Sequence, residues 1–183
     1  QQLDAVPWAD LETDLASMLR RYAGLTVDLG SGKLTLSPDE VRIAAVKYGA
    51  VVAQGVAMYR HLVAEVKHPF DVEFAIDETD YVTSVGEHAW MINELTRLGC
   101  RFVSVAPRYV GLFEKGTEYI GSLDELRANL EAHHAVAEHF GPYKISLHSG
   151  SDKFSIYPLV AQATGRVLHL KTSGTTWLVA CDV

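Results

Sequence analysis

A chain of 183 residues that is 48% hydrophobic and 21% charged is long enough to bury one sizeable core. Its formal charge of −7 argues against nucleic acid or an anionic membrane surface as the main partner. The sequence shows no apolar run near the roughly 20 residues that a bilayer crossing needs, and no signal peptide. Cys100 and Cys181 lack CxxC or Cys/His zinc spacing, which predicts reduced core thiols and a cytoplasmic protein.

In chain order, Leu11, Leu15, Met18, Leu19 and Tyr22 fall at helical spacing and predict a helix over 8–23, stopped by Gly24. Two short strands around Gly30-Ser31-Gly32 follow, so residues 1–36 read as a helix and hairpin segment. Ser37-Pro38-Asp39-Glu40 is a capping box with Pro at the first helical position. It opens a helix to about Val66, in which Gly49 and Gly55 suggest close approach to neighbours. The pattern then becomes regular. Strands are expected over 72–77, 102–107, 144–148 and 167–171, separated by helices that open at Ser84, at Ser122 and near Phe154.

Strand and helix in alternation mean parallel βα units, so residues 37–183 read as one continuous α/β unit of TIM-barrel type. Four such units make half of an eight-stranded barrel, which needs about 250 residues in full. An open flavodoxin-like sheet lacks its Gly-rich phosphate turn here. The expectation is a partial barrel with an N-terminal helix and hairpin. The chain begins at Gln1 without a methionine and stops at Val183 directly after a strand and its loop, which points to a part of a longer protein.

Parity gives each strand one aliphatic face and one small or polar face. The polar face carries Asp77, Arg108, His148, His169 and Lys171 toward the carboxyl ends. Barrel active sites are built at those ends, and polar groups there need partners. Imidazoles at matching strand ends favour a shared divalent metal, Zn, Mn, Co or Ni, held by His148 and His169. Asp77 and Glu78 suit a metal ligand or a general base, and Arg108 and Lys153 suit a carboxylate or phosphate. Lys171 is either a charge partner or, if desolvated, a Schiff-base lysine. His133, His134 and His139, distant from strand ends in the pattern, are expected on the surface.

The runs Ala75-Ile76-Asp77-Glu78-Thr79, 106–116, 143–158 and 169–175 resemble the tagaturonate epimerase family, most specifically over 143–158. The resemblance spans Leu36 to Val183. It implies a metal-dependent, barrel-type isomerase interconverting D-tagaturonate and D-fructuronate, with proton transfer beside the ketone through a metal-stabilised enediolate. In that setting Glu78 is the expected acid/base group, with Asp77 as fallback, and His148 and His169 hold the metal. Arg108, Ser151, Lys153 and Lys171 are the candidate substrate ligands. Family members are longer, so barrel strands and a second acid/base group are expected to be missing. The implied partner is a small sugar acid, with self-association left open. The alternatives are a barrel aldolase using Lys171 and a non-catalytic sugar-acid-binding module.

Overall fold

The computed structural model describes residues 2–114, 116–148 and 153–172. A short 3-10 turn at Leu3–Ala5 precedes α1 (Leu15–Tyr22), β1 (Thr26–Asp28), β2 (Lys33–Thr35) and α2 (Pro38–Glu65). Then come β3 (Glu73–Ala75), α3 (Val85–Arg97), β4 (Ser104–Ala106), α4 (Leu123–Phe140), β5 (Lys144–Leu147), α5 (Tyr157–Ala163) and β6 (Leu168–Leu170). The first helix is shorter than its apolar spacing predicts. The Asp14 side chain accepts from the Ser17 amide at 2.8 Å and caps the helix there, while residues 8–12 fold into turns against α2.

Capping boxes are expected at Ser37, Ser84 and Ser122; the first two form in full, while at Ser122 the side chain accepts from the Glu125 amide at 3.3 Å without the return bond. Ser37 and Glu40 exchange bonds of 3.2 and 2.8 Å at the start of α2, and Ser84 and Glu87 exchange bonds of 3.1 and 2.8 Å at the start of α3. β1 and β2 make an antiparallel hairpin. The four later strands are parallel in the order β3-β4-β5-β6. Among the described residues they form an open sheet and not a closed barrel, with β3 on one edge.

The aliphatic face of this sheet is covered by the helices. Val105, Ile145 and Leu147 pack with Leu126 and Leu130 of α4 and Leu159 and Val160 of α5. A second cluster joins α1, α2 and α3 around Met18, Tyr48, Val52, Trp90 and Leu95. The opposite face carries Glu73, Ser104, Ser146 and His169, so the parity expected from sequence holds at these positions. Val103, just before β4, departs from it and is exposed.

With 28 residues and a mean hydropathy of 1.2 over its best window, α2 is long and apolar enough to cross a membrane, contrary to the sequence expectation. Here one of its faces is instead buried in protein, through Val41, Ala44, Ala45, Tyr48, Val52 and Val56. The glycines in α2 do permit close approach. A Cβ at Gly49 would stand 3.0 Å from Val6 Cγ1, and one at Gly55 would stand 2.8 Å from the Phe74 ring on β3.

Candidate active site at the sheet mouth

Register decides which polar side chains meet. Glu73 pairs across with Ser104, and Ser146 pairs with His169, which turns all four to the same side of the sheet. His148, two residues beyond Ser146, points the same way. The Glu73 carboxylate becomes the hub. Its Oε1 lies 2.6 Å from His148 Nε2, and its Oε2 lies 2.6 Å from His169 Nδ1 and accepts from Ser104 Oγ at 2.5 Å. Ser146 Oγ stands 3.2 Å from His169 Nδ1. On its other nitrogen, His148 Nδ1 meets Asp77 Oδ2 at 3.1 Å.

Burial alone would raise the Glu73 carboxyl. The hydrogen bonds from Ser104, His169, His148 and Ser146 outweigh that effect and hold it down to about 2. Glu73 is therefore an anion throughout the neutral range. His148 is buried and has carboxylates on both ring nitrogens, whereas the His169 side chain is 47% exposed.

Two cavities open beside this hub. One, of about 240 Å³, is lined by Asp77, Glu78, Arg108, Tyr109, Phe113 and His148 among others. The second, of about 410 Å³, shares Asp77, Glu78 and His148 and adds Lys171. Glu78 is exposed and has no hydrogen-bond or ion-pair partner among the described residues. The Arg108 guanidinium donates to the Asp77 carbonyl at 3.3 Å. Its backbone is tied to the β3–α3 loop by two bonds, Arg108 N to Thr83 Oγ1 at 3.0 Å and Thr83 N to Arg108 O at 2.9 Å. Tyr109 lines the first cavity, but burial pushes its phenol well above the usual range and its hydroxyl is spent on the Ser146 carbonyl at 3.1 Å. It is a poor proton carrier.

The sequence-derived residues thus fall into three groups. Asp77, Glu78, His148, Arg108 and Lys171 line these cavities, and His169 joins them through Glu73. Lys153 is fully buried and donates to the carbonyls of Glu114 and Thr117 at 2.6 Å each, away from both cavity linings. Ser151 lies outside the described residues. Sequence reasoning missed Glu73, although its parity with Asp77 and its place on β3 were visible.

One expectation is corrected. His133 is not on the surface: it is fully buried on α4, and its Nδ1 lies 3.0 Å from Nδ1 of the equally buried His88 on α3. His88 Nε2 meets the Tyr143 hydroxyl at 2.9 Å. α4 turns Leu126, Leu130, His133 and Ala137 onto one face, and that face is the buried one. Burial holds His133 down at about 4 and lowers His88 well below its ordinary value, the latter with help from His133.

Two imidazoles with neighbouring carboxylates are the donor chemistry of a zinc, manganese, cobalt or nickel site, so the residues around Glu73 fit the expected cation in kind. Their nitrogens and oxygens are in direct contact, and among the described residues no three His, Cys, Asp or Glu side chains stand open around a cation position.

The sequence profile of the family described as tagaturonate epimerase matches residues 5–183. A tagaturonate/fructuronate epimerase of Thermotoga maritima is 40% identical over 164 residues, covering 90% of this chain and 34% of that protein. A crystal structure of the fructuronate-tagaturonate epimerase UxaE from Cohnella laeviribosi with two glycerols superposes with a TM-score of 0.84 at 31% identity. That match covers 97% of this chain and 37% of that one. The native crystal structure of the same enzyme gives a TM-score of 0.80 at 29% identity, covering 98% and 40%. The chain spans about a third of the length of the relatives it matches. On the strength of a profile match over nearly its whole length, the chain belongs to the tagaturonate epimerase family.

Proposed function

We propose that this chain carries the catalytic centre of a cytoplasmic epimerase that interconverts D-tagaturonate and D-fructuronate with the help of a divalent cation. The observation that supports it most is the convergence of His148 and His169 on the one carboxylate of Glu73, beside cavities lined by Asp77 and Glu78, in a chain of this family. Glu73, His148 and His169 would hold the cation, Zn²⁺, Mn²⁺, Co²⁺ or Ni²⁺. When bound it would draw electron density from the substrate's ketone oxygen.

The two sugar acids differ at the middle of their three carbinol carbons, which is β to the ketone. The carbonyl does not acidify that C–H. Removal and return of a proton beside the ketone, the route expected from the sequence, therefore does not invert this centre. The substrate is a β-hydroxyketone, and its weak bond joins the α and β carbons. Glu78, free of other partners, takes the proton of the β-hydroxyl. That carbon becomes an aldehyde as the C–C electron pair withdraws toward the ketone. The aldehyde turns its other face, the bond re-forms, and Glu78 returns the proton to oxygen, so no atom is gained or lost. Arg108 and Lys171, which line the two cavities, would hold the carboxylate, and Asp77 would orient His148 through its Nδ1. Ser151 remains a candidate hydroxyl ligand.

The test is conversion of D-tagaturonate to D-fructuronate by the purified chain, lost on chelation and restored by one of the four cations. Product made in D₂O should carry no deuterium at the inverted carbon. Deuterium there would refute the cleavage route, and a metal-loaded chain that turns over neither acid would refute the enzyme.

A further inference from the structure

Lys153 looks in sequence like a free cation waiting for an anion, but it is fully buried. Taking an ammonium out of water costs several kcal/mol unless it is paired. No carboxylate among the described residues stands within ion-pairing distance of Lys153. What meets it are two neutral acceptors, the Glu114 and Thr117 carbonyl oxygens, both at 2.6 Å.

Both carbonyls belong to the β4–α4 loop, and the rest of that loop is folded on itself. Leu112 and Ile120 exchange backbone bonds of 2.9 and 3.2 Å, the Tyr119 hydroxyl donates to the Val110 carbonyl at 3.2 Å, and the Phe113 and Tyr119 rings lie 5.1 Å apart. Gly111 makes the fold-back feasible: its φ is +82°, and a Cβ there would strike the Tyr119 ring. A second tie runs to the same partner segment, since Ser155 Oγ donates to Glu118 Oε2 at 2.7 Å. Gly111 and Phe113 of this loop wall the smaller cavity beside His148.

We infer that Lys153 is a positioning residue: its ammonium latches the β4–α4 loop onto the end of the β5–α5 connection, just before α5, and so sets the wall of the cavity, without itself touching substrate. The catalytic consequence rests on the epimerase reading, but the latch does not.

Two measurements on the full 183-residue chain without substrate test the latch. In a Lys153→Met variant the Leu112 and Ile120 amides should exchange hydrogen at least about tenfold faster than in the parent, with the Leu130 amide of α4 changed less than about twofold. A folded variant with unchanged loop exchange overturns the latch. Should Lys153→Met not fold, the parent decides alone. Its Lys153 ammonium should give a slowly exchanging NMR signal that does not shift when saturating D-tagaturonate is added. A signal that appears or shifts only with the sugar acid makes Lys153 a substrate ligand and overturns the inference. If the parent shows the protected ammonium but no epimerisation, the functional reading fails and the latch stands.

Discussion

Two pairs of histidines sit on this fold and meet opposite fates. His148 and His169 hang from neighbouring strands and share an anion, Glu73. His88 and His133 hang from neighbouring helices, bond to each other and to Tyr143, and have no carboxylate against them among the described residues. Desolvation therefore rules the second pair and keeps it neutral, while a carboxylate and an open cavity organise the first. The side chain is the same in both places. What separates an imidazole beside an open cavity from a packing imidazole here is whether the register of the sheet delivers an anion to it.

The sharpest way to break this contrast is to remove the anion. Glu73→Gln should lower kcat/KM for D-tagaturonate by about 10²- to 10³-fold, whereas folded His133→Asn should stay within about threefold of the parent. Equal losses from both substitutions, measured as initial rates, would erase the distinction.

Next comes pH. His133 is held at about 4 against an ordinary 6.5, and His88 is also lowered, so below 6.5 the unfolded chain binds protons that the folded chain refuses. Stability from this pair is therefore complete above pH 6.5 and drains as pH falls toward about 4. Glu73, depressed from 4.5 to about 2, adds a separate loss across that lower window. Denaturant midpoints should show a loss of at least about 2–3 kcal/mol between pH 7 and pH 4.5, reduced in His133→Leu but not abolished while His88 remains. A flat parent profile would contradict the neutral assignment.

Within the first pair, His148→Asn should destabilise by about 1–2 kcal/mol because it strands Glu73 and Asp77, and His169→Asn, at an exposed ring, by less than about 1 kcal/mol. Thermal midpoints would order them. The smallest effect expected is none at all: borohydride added with D-tagaturonate should leave the mass at Lys171 unchanged. A trapped adduct would favour the aldolase alternative.

Much of this was legible from residue order. The capping boxes at Ser37 and Ser84 announced their helices, and alternation along β3 to β6 announced both faces of the sheet. What alternation cannot supply is register between strands, which is a tertiary property. That is why Glu73, at the start of β3, does not stand out in the sequence as the residues at the strand's far end do. His133 reads as a surface residue from its distance to the strand ends, but its i+3 and i+7 spacing from Leu130 and Leu126 puts it on the buried face of α4. Lys153 shows a third limit, since a sequence cannot distinguish an ammonium aimed at a ligand from one spent on carbonyl oxygens.

The bare backbone at position 55 has a consequence beyond packing. A methyl group there would press on Phe74, the immediate neighbour of Glu73 along β3. In a saturation-mutagenesis screen for turnover, Gly55 should thus score with the residues around the substrate, although it lies one helix away from them. Position 55 of α2 is thus a remote screw that turns the Glu73 hub without altering any side chain in it.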